Sequence, residues 1–247
     1  MSGFFDAVSL LTRLRTRGGR DTARAIPWMP VVGALIGLVA GSVYWASRIG
    51  LSPLISATLA IASSILLTGA LHEDGLADVA DAFGARVEPA RAIEIMQDPH
   101  HGTYGILALI LSVVVRIAAV AQLRPVAAIV VLAAAHSLAR AGAVGLMAIM
   151  PAAEGSTLGA SYKHRETGRR LLAGFAFALA VAAAVFGLWV FIAAAITLAA
   201  MSLTGLLARQ KIGGFNGDVL GATEQLAEIG ILLLVAGARS GIPWWRG

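Results

Sequence analysis

The chain has 247 residues, of which 58% are hydrophobic and 13% charged, and its mean hydropathy is +0.80. A soluble domain carries roughly 25% charged residues, so the composition excludes a water-soluble globular protein. Because the chain has no cysteine, disulfides, thiolate metal sites and cysteine nucleophiles are also excluded. The pI of about 10.4 does not indicate nucleic acid as a partner. Lys and Arg lie between apolar runs, which is typical of a protein in a lipid bilayer.

The apolar runs predict helices that cross a bilayer, because only helices and closed barrels satisfy the backbone there, and the runs lack the alternation of strands. Residues 1–15 are too short to cross and predict an interfacial helix. The run 171–208 is too long for one crossing, so we divide it after residue 188. About seven spans result: 28–48, 52–71, 104–123, 126–150, 171–188, 189–208 and 219–238. The prediction is an all-α polytopic integral membrane helical bundle that forms a single domain over 1–247.

Lys and Arg are concentrated before the first run and after every second run. Under the positive-inside rule this excess predicts a cytoplasmic N-terminus. The segments 72–103, 151–170 and 209–218 then become loops on the cytoplasmic face. We therefore predict a multi-pass protein of the cell inner membrane whose site assembles from these three loops at the cytoplasmic face.

Residues 71–85 read LHEDGLADVADAFGA and concentrate carboxylates in an otherwise apolar chain. Asp74, Asp78 and Asp81 follow the spacing i, i+4, i+7, so on a helix they share one face. Like charges at this spacing repel each other, and a bound cation would compensate them. Carboxylate oxygens favour a hard ion, above all Mg²⁺, which also binds substrate phosphates. A solvated acidic surface is the plain alternative.

The neighbours of these aspartates allow more than one role. Gly75 leaves space beside Asp74, so we expect room there for a phosphate. Glu73 points to a different face and either binds the metal or pairs with an arginine. His72 acts either as a general base or as a capping hydrogen-bonding group.

A second group of candidates lies in residues 209–229, RQKIGGFNGDVLGATEQLAEI. The glycines Gly213, Gly214 and Gly217 predict a turn before a helix, where backbone N–H groups can bind a phosphate. Lys211 adds positive charge, and Asp218 adds a carboxylate for the metal.

Ionisable residues also fall inside the predicted spans, where they are costly. Glu224 and Glu228 are one turn apart, and they form either part of the site or a structural pair with Arg140. For His136 we expect a packing role. Arg116 lies toward the outer side of its span, and we expect its side chain to extend to the membrane surface.

The remaining loops give weaker signals. In 89–105, Asp98 before the GTYG turn is a candidate for phosphate or metal support, whereas zinc at the adjacent His100 and His101 is disfavoured because sequence neighbours rarely chelate one ion. In the loop 154–170 four basic residues either set the membrane orientation or bind an anion: Lys163, Arg165, Arg169 and Arg170. Taken together, the residues indicate Mg²⁺-dependent transfer of a phosphate-linked group at one membrane face.

Three segments, in this order, resemble the cobalamin synthase family, the adenosylcobinamide-GDP ribazoletransferases. They are HEDGLADVADAFGA (72–85), EIMQDPHHGTYGILAL (94–109) and FNGDVLGATEQLAEI (215–229). SLLTRL (9–14) and IPWMPVVGALIG (26–37) are also similar, so the resemblance covers nearly the whole chain. Pro99, His100 and His101 depart from the family's pattern, so the resemblance assigns neither histidine a role.

The resemblance implies a reaction of cobalamin biosynthesis. The 5′-hydroxyl of α-ribazole, or the matching group of its 5′-phosphate, would attack adenosylcobinamide-GDP, with adenosylcobalamin or its 5′-phosphate and GMP as products. Mg²⁺ would be the cofactor. The roles that we assign are catalytic for His72, Asp74 and Asp78, metal-binding for Glu73, Asp74, Asp78, Asp81 and Asp218, and substrate-binding for Gly75, Lys211, Gly214, Gly217 and Arg140. Homo-oligomers and contacts with other enzymes of the pathway stay open.

Three alternatives share some of these features. A CDP-alcohol phosphotransferase also uses aspartates and a nucleotide diphosphate, but it expects Ala-Arg after its Asp-Gly pair, where this chain has Leu76 and Ala77. A UbiA-like prenyltransferase expects a second aspartate-rich motif, which is absent. An ion-coupled membrane transporter would use Glu224, Glu228 and Arg140, but transporters place such residues near the midplane, whereas the acids here gather at one face.

Overall fold

A computed structural model describes residues 2–17, 21–154, 156, 168–238 and 244–245, with Thr22 and residues 168–170 described by their backbone alone. Within these ranges the fold is helical, and the one β interaction is an isolated parallel bridge between Ala152 and Phe215. Short 3₁₀ turns occur at Ile26–Trp28 and Gly187–Trp189. The helices are α1 Ser2–Leu11, α2 Thr22–Ala25, α3 Met29–Ser47, α4 Pro53–Thr68, α5 Leu71–Gly84, α6 Pro89–Gln97, α7 Thr103–Val120, α8 Pro125–Ile149, α9 Gly168–Phe186, α10 Val190–Ile212 and α11 Gly217–Gly237.

Five segments of the described chain are long and apolar enough to cross a membrane: 23–47, α7, α8, 171–212 and α11. The pair α4 and α5 passes the same test together but is bent by 88°, so it is a broken span or a re-entrant loop. Many leucines and isoleucines on these helices face outward, among them Leu66, Leu111 and Leu198. Outward apolar side chains belong in lipid, so the all-α, polytopic membrane bundle is confirmed.

Local sequence signals account for where several helices begin and end. Pro53 and Pro125 occupy the first turns of α4 and α8, where the missing N–H has no helical partner to lose. At the end of α4 the backbone of Gly69 and Ala70 is left-handed, with φ of +71° and +62°. This reversal produces the sharp bend into α5. For Ala70 the left-handed conformation costs about 1 kcal/mol, so the bend is stabilised by the packing of α5.

The apolar run 171–212 turns back on itself. Its 3₁₀ turn, Gly187–Trp189, contains a glycine with φ of +57°. A methyl group added to Gly145 of α8 would lie 3.0 Å from Sδ of Met201 and 3.7 Å from the ring of Phe175. Phe175 on α9 and Met201 on α10 therefore meet at one level of α8, which requires two antiparallel helices. The turn lies where the sequence led us to divide this run.

Helix α8 is at the centre of the bundle, and α3 makes the closest approach to it. Gly33, Gly37 and Gly41 recur every fourth residue on α3, and a methyl group at any of them would overlap the α8 backbone near His136, Leu132 or Ile129. Small residues at this spacing let two membrane helices pack backbone to backbone, where dispersion forces supply the stabilisation. This contact fixes the position of α8 along its axis relative to α3, and therefore the position of the polar side chains of α8.

The segment 72–103, expected as a cytoplasmic loop, contains two helices. Helix α5 packs between α7 and α11, and most of its side chains are buried, while α6 lies against the end of α10. Helix α1, the expected interfacial helix, packs on α2 and α3 through the buried residues Ala7 and Leu11. The packing of α5 brings its carboxylates against other helices of the bundle.

Candidate functional site

Helices α5 and α11 approach each other most closely at Gly75. A methyl group there would lie 2.8 Å from the carbonyl oxygen of Asp218 and 2.9 Å from its Cα. The expectation that Gly75 leaves room for a phosphate is therefore wrong, because the backbone of α11 fills that space. The close approach instead brings Asp218, in the first turn of α11, beside the aspartates of α5.

Asp74, Asp78 and Asp218, which we call the aspartate group, differ in exposure. The Asp74 side chain is 64% exposed and that of Asp78 is 11% exposed, while Asp218 is half-buried. Asn216, the N-cap of α11, donates a hydrogen bond from Nδ2 to Oδ2 of Asp218 at 2.9 Å. Three carboxylates from two helices thus gather at the N-terminus of α11, where the helix dipole favours negative charge.

His101 lies between two members of the aspartate group. Its Nε2 is 3.6 Å from Oδ1 of Asp74, and its Nδ1 is 3.4 Å from Oδ1 of Asp78. Nδ1 is buried and makes no hydrogen bond. Sequence reasoning assigned His101 no role, because nothing in the spacing of residues shows that the loop before α7 folds onto α5.

Asp81, the third residue of the predicted face, holds the start of α7. Its Oδ2 accepts a hydrogen bond from the backbone N–H of Gly102 at 2.7 Å, and its Oδ1 accepts one from Gly105 at 2.9 Å. These N–H groups belong to the first turn of a helix and have no partner within it. Asp81 therefore caps α7 from another helix, which holds the loop carrying His101 in place.

Asp98 and His100 form a local pair away from the aspartate group. Oδ1 of Asp98 accepts hydrogen bonds from the backbone N–H of His100 at 2.9 Å and contacts its ring Nδ1 at 2.9 Å. These two interactions hold the pKa of the exposed Asp98 carboxyl below its usual value. Asp98 was expected to support a metal ion or a phosphate. Its hydrogen bonds are with His100, and it makes none with the aspartate group.

The glycines of the turn before α11 have different roles. Gly213 ends α10 in a left-handed conformation with φ of +74°. Gly214 packs against the backbone of 151–153, where a methyl group would overlap, so its predicted substrate contact is replaced by packing. Gly217 has open space around it and is exposed. Of the two glycines predicted to bind substrate, Gly214 and Gly217, Gly217 remains available to a ligand.

Lys211 is also engaged within the protein. Its Nζ donates a hydrogen bond to the carbonyl oxygen of Ala85 at 3.0 Å, just after the end of α5. A cation near the last carbonyl groups of a helix is stabilising. Lys211 thus ties α10 to α5. The predicted basic residues Lys163 and Arg165 lie outside the described residues, and the side chains of Arg169 and Arg170 are likewise not described.

Behind the aspartate group lies a second set of ionisable residues, the buried charge cluster, formed by Glu73, Arg116, His136, Arg140, Glu224 and Glu228. Nη2 of Arg116 is 3.0 Å from Oε1 of Glu73, and its Nη1 is 3.4 Å from Oε1 of Glu228. The Arg116 side chain is 1% exposed, so the expected extension to the membrane surface is wrong. Glu73 takes the role of an arginine partner, on the side of α5 away from the aspartate group.

The other half of the cluster surrounds Glu224. Nη1 of Arg140 donates to Oε1 of Glu224 at 2.6 Å, so the structural pair that was one of the two open roles is present for Glu224. Glu228 instead contacts Arg116 and His136. His136 is 3.1 Å from Oε2 of Glu228 and 3.1 Å from Nη1 of Arg140, so it belongs to the polar cluster and does more than pack. Gln225 donates to Glu224 at 3.1 Å and to Glu73 at 3.4 Å, which joins the two halves.

Ligand atoms of His136, Glu224 and Glu228 lie within 4.8 Å of one another, close enough to surround a metal ion. The same glutamates already contact guanidinium groups, at 2.6 Å for Arg140 and 3.4 Å for Arg116. The guanidinium groups therefore take the positions beside these carboxylates that a metal ion would need. The room for water-molecule centres is about 10 Å³, at the lower limit for a single water. We therefore interpret this cluster as an internal ion-pair network.

Two open clefts flank the first turn of α11. The first cleft is lined by four residues with titratable or charged side chains, namely His72, Asp74, Arg140 and Asp218. Its remaining walls are mainly apolar and come from α1, α3 and α8: Leu10, Leu11, Met29, Ala143, Val144 and Met147. The second cleft lies between α6, the segment after α8 and the end of α10. It too reaches Gly217 and Asp218.

His72 and Arg140 join the first cleft to the buried charge cluster, because both line the two spaces. Nδ1 of His72 is 4.0 Å from Oε2 of Glu224, and the side chain is 9% exposed. Of the residues predicted for the site, the cleft thus brings together His72, Asp74, Arg140, Gly217 and Asp218, with Asp78 beside them. Glu73, Gly214 and Lys211 have their partners elsewhere.

Comparison with known proteins fits this arrangement. Residues 3–236 match the cobalamin-5-phosphate synthase family. The chain belongs to that family. A relative from Bradyrhizobium diazoefficiens is 44% identical over 225 residues, which are 89% of this chain and 85% of the relative. A relative from Mesorhizobium japonicum is 37% identical over 90% of this chain and 86% of its own length. A relative from Prosthecochloris aestuarii is 33% identical over 92% of this chain and 94% of its own length. All three relatives carry the same name.

That shared name is adenosylcobinamide-GDP ribazoletransferase. No solved structure matches the chain. For this cobalamin-5-phosphate synthase family member the helical bundle described above therefore supplies the positions of the site residues. The family match spans α1 and nearly all of α11, so it includes every residue of both clefts.

Proposed function

We propose that the chain catalyses the Mg²⁺-dependent transfer of adenosylcobinamide phosphate from adenosylcobinamide-GDP to α-ribazole or its 5′-phosphate. The new bond joins a free ribose hydroxyl oxygen of the ribazole, which in the 5′-phosphate is not the 5′-oxygen, to the corrinoid-side phosphorus. The bond from that phosphorus to the bridging oxygen breaks, and GMP leaves with that oxygen. The proton of the hydroxyl passes to a base of the protein. The products are adenosylcobalamin, or its 5′-phosphate, and GMP.

The observation that carries this proposal is the convergence of Asp74, Asp78 and Asp218 at the first turn of α11, beside an open cleft. Phosphoryl transfer needs a fixed position for the diphosphate and compensation of its charge. The N-terminus of α11 contributes backbone N–H groups and a positive dipole end. The exposed Gly217 lets a phosphate approach that backbone.

The donor set fits Mg²⁺. All three residues are carboxylates, and Mg²⁺ prefers one or two of these together with waters and substrate phosphates. Asp74, Asp78 and Asp218 would hold the ion, which on binding would neutralise charge on the diphosphate oxygens. Asp81, on α5, retains lone pairs beyond the two hydrogen bonds that it accepts from the start of α7, and it supports the set by holding that turn in place. Glu73 is excluded from it because its carboxylate is paired with Arg116.

His72 is our candidate for the base that receives the hydroxyl proton. It lines the first cleft two residues from Asp74, and Glu224 lies behind it at 4.0 Å. A histidine with a carboxylate behind it is a common arrangement for a general base. Arg140 lines the same cleft. Its contacts with Glu224 and His136 fix the orientation of its side chain.

We further propose that the clefts open at the cytoplasmic face of the cell membrane. The N-terminal segment and the loop after α8 carry many of the basic residues. The described parts of both line the clefts beside Asp218, through Leu10 and Leu11 in the first cleft and Ala153 and Glu154 in the second. Labelling of a single cysteine placed at exposed Arg15, in intact cells and in inverted vesicles, would test the orientation. Labelling in intact cells would contradict it.

The test of the reaction is GMP release by the purified protein from adenosylcobinamide-GDP and α-ribazole. We expect release with Mg²⁺ and loss of at least 10²-fold on chelation, because the diphosphate charge is then uncompensated. Asp78→Asn should lose activity to a similar degree, while Glu94→Gln, at a surface pair with Arg91, serves as the matched control. An Asp78→Asn protein with full Mg²⁺-dependent activity would contradict the assignment of Asp78 to the metal site. Uptake of either substrate into vesicles without release of GMP would instead support a transporter.

A further inference from the structure

The two clefts meet at the point where the reaction would occur, yet their walls differ in chemistry. Among the described residues they share Gly217 and Asp218 and no other lining residue. Each holds more than a few waters, with about 160 Å³ for water-molecule centres in the first cleft and about 260 Å³ in the second. A reaction between two nucleoside-bearing substrates needs two base sites on either side of one phosphorus, and this arrangement supplies two.

The walls of the second cleft combine an apolar surface with polar groups. Ile93 and Met96 come from α6 and Ile212 from the end of α10, so a flat ring can pack between the two helices. Gln97 and Glu154 line the same cleft, and both side chains are exposed to it and to solvent. The first cleft, by comparison, has a mainly apolar wall from α1, α3 and α8, and its charged residues come from the other helices and from Arg140.

The two bases differ in a way that matches the clefts. Guanine has two adjacent donors, N1–H and the 2-amino group, and acceptors at O6 and N7. A carboxylate accepts from two adjacent donors at once, and an amide can donate to a carbonyl oxygen. The base of ribazole is a dimethylbenzimidazole, which has no N–H donor in the nucleoside and two methyl groups. It makes few hydrogen bonds and is best placed against an apolar wall.

We propose that the second cleft binds the guanine of the GDP group, with Glu154 as the residue that selects guanine, and that the first cleft binds the ribazole base. This inference rests on the proposed function and adds the placement of both substrates. The donor diphosphate would then lie across the first turn of α11, with its corrinoid phosphorus facing the first cleft and GMP departing through the second.

The experiment measures displacement of a fluorescent N-methylanthraniloyl GDP from the full-length protein in lipid nanodiscs, by GMP or by IMP. IMP lacks the 2-amino group and so lacks one hydrogen bond to a charged acceptor. We expect the unmodified protein to bind GMP about tenfold more tightly than IMP. In Glu154→Gln the preference should fall to within about twofold, because the Gln amide presents an NH₂ group to a donor of the base.

The control Glu94→Gln, on the surface of α6 beside the cleft, should keep the tenfold preference. A Glu154→Gln protein that keeps it too would overturn the assignment of Glu154. Transfer activity without any preference for GMP over IMP in the unmodified protein would overturn the guanine site and leave the proposed reaction standing. Binding with that preference but no GMP release would instead contradict the reaction and leave the site.

A second variant tests the first cleft. Leu10→Trp would narrow its apolar wall on α1, at a position that is only half-buried, so folding should tolerate the change. We expect the KM for α-ribazole to rise about tenfold with the KM for adenosylcobinamide-GDP unchanged. A rise in the donor KM alone would reverse the assignment of the two clefts.

Discussion

The two faces of α5 carry acidic residues in opposite circumstances. Glu73 lies in the buried charge cluster, where Arg116 and Gln225 contact it. The side chain of its neighbour Asp74 is 64% exposed, and its Oδ1 lies 3.6 Å from Nε2 of His101. The cluster therefore provides each of its carboxylates with a guanidinium partner within the protein. The aspartate group does not, and its excess negative charge is left for a ligand to compensate. Polar residues in a membrane protein are thus informative about function when their partners are missing.

The largest effect is expected from breaking the buried charge cluster. Arg116→Met would leave Glu73 and Glu228 without their guanidinium partner in the interior of the bundle. Removing one member of a buried ion pair costs about 3 to 5 kcal/mol, so we expect most of the protein to be lost as aggregate. Size-exclusion chromatography and thermal unfolding in detergent would measure this. A folded and stable Arg116→Met protein would show that the cluster is not held by this residue.

The aspartate group should respond in the opposite way. Asp218→Asn removes one charge from a set of mutually repelling carboxylates, so the unfolding temperature should stay the same or rise. We expect GMP release to fall by about 10²-fold or more, because a ligand for the diphosphate charge is lost. The two measurements on one sample separate the regions. A destabilised Asp218→Asn protein that keeps its activity would contradict the distinction.

The sequence was sufficient for the long apolar helices and for half of the site. Apolar runs predicted these helices, including the division of 171–208, because membrane helices are determined by local composition. Helices α5 and α6 lie in the segment 72–103, which was expected as a loop. The aspartates were predicted by their charge and spacing. Arg116 was placed wrongly because its distance along the span suggested the outer side. The bend at Gly69 and Ala70, which brings α5 back into the bundle and Glu73 to Arg116, has no signal in composition.

The roles of the glycines show a similar limit. Gly75 and Gly214 were interpreted as space for a substrate, but α11 and the segment 151–153 occupy that space. A glycine indicates that something approaches closely, and the sequence does not say whether a ligand or another part of the backbone does so. His101 was overlooked for a related reason. Its position depends on the cap that Asp81 provides to α7, which is a contact between distant segments.

That cap provides a test of intermediate size. Asp81→Ala would leave the N–H groups of Gly102 and Gly105 without their acceptor and should destabilise the protein by about 0.5 to 2 kcal/mol. We expect activity to decrease less than in Asp78→Asn, since the first role of Asp81 is to hold α7. Thermal unfolding and GMP release would be measured together. Complete loss of Mg²⁺-dependent activity with an unchanged unfolding temperature would instead identify Asp81 as a metal ligand.

The smallest expected effect separates two adjacent histidines. His101 lies 3.4 Å from Asp78 and 3.6 Å from Asp74, whereas His100 is 89% exposed and contacts Asp98. His101→Ala should change the Mg²⁺ concentration for half-maximal activity by about fivefold, the effect of losing roughly 1 kcal/mol of interaction with the carboxylates. His100→Ala should change it by less than about twofold. Because the two residues are neighbours, general damage to the loop would affect both variants equally, and only contact with the aspartate group predicts a difference between them.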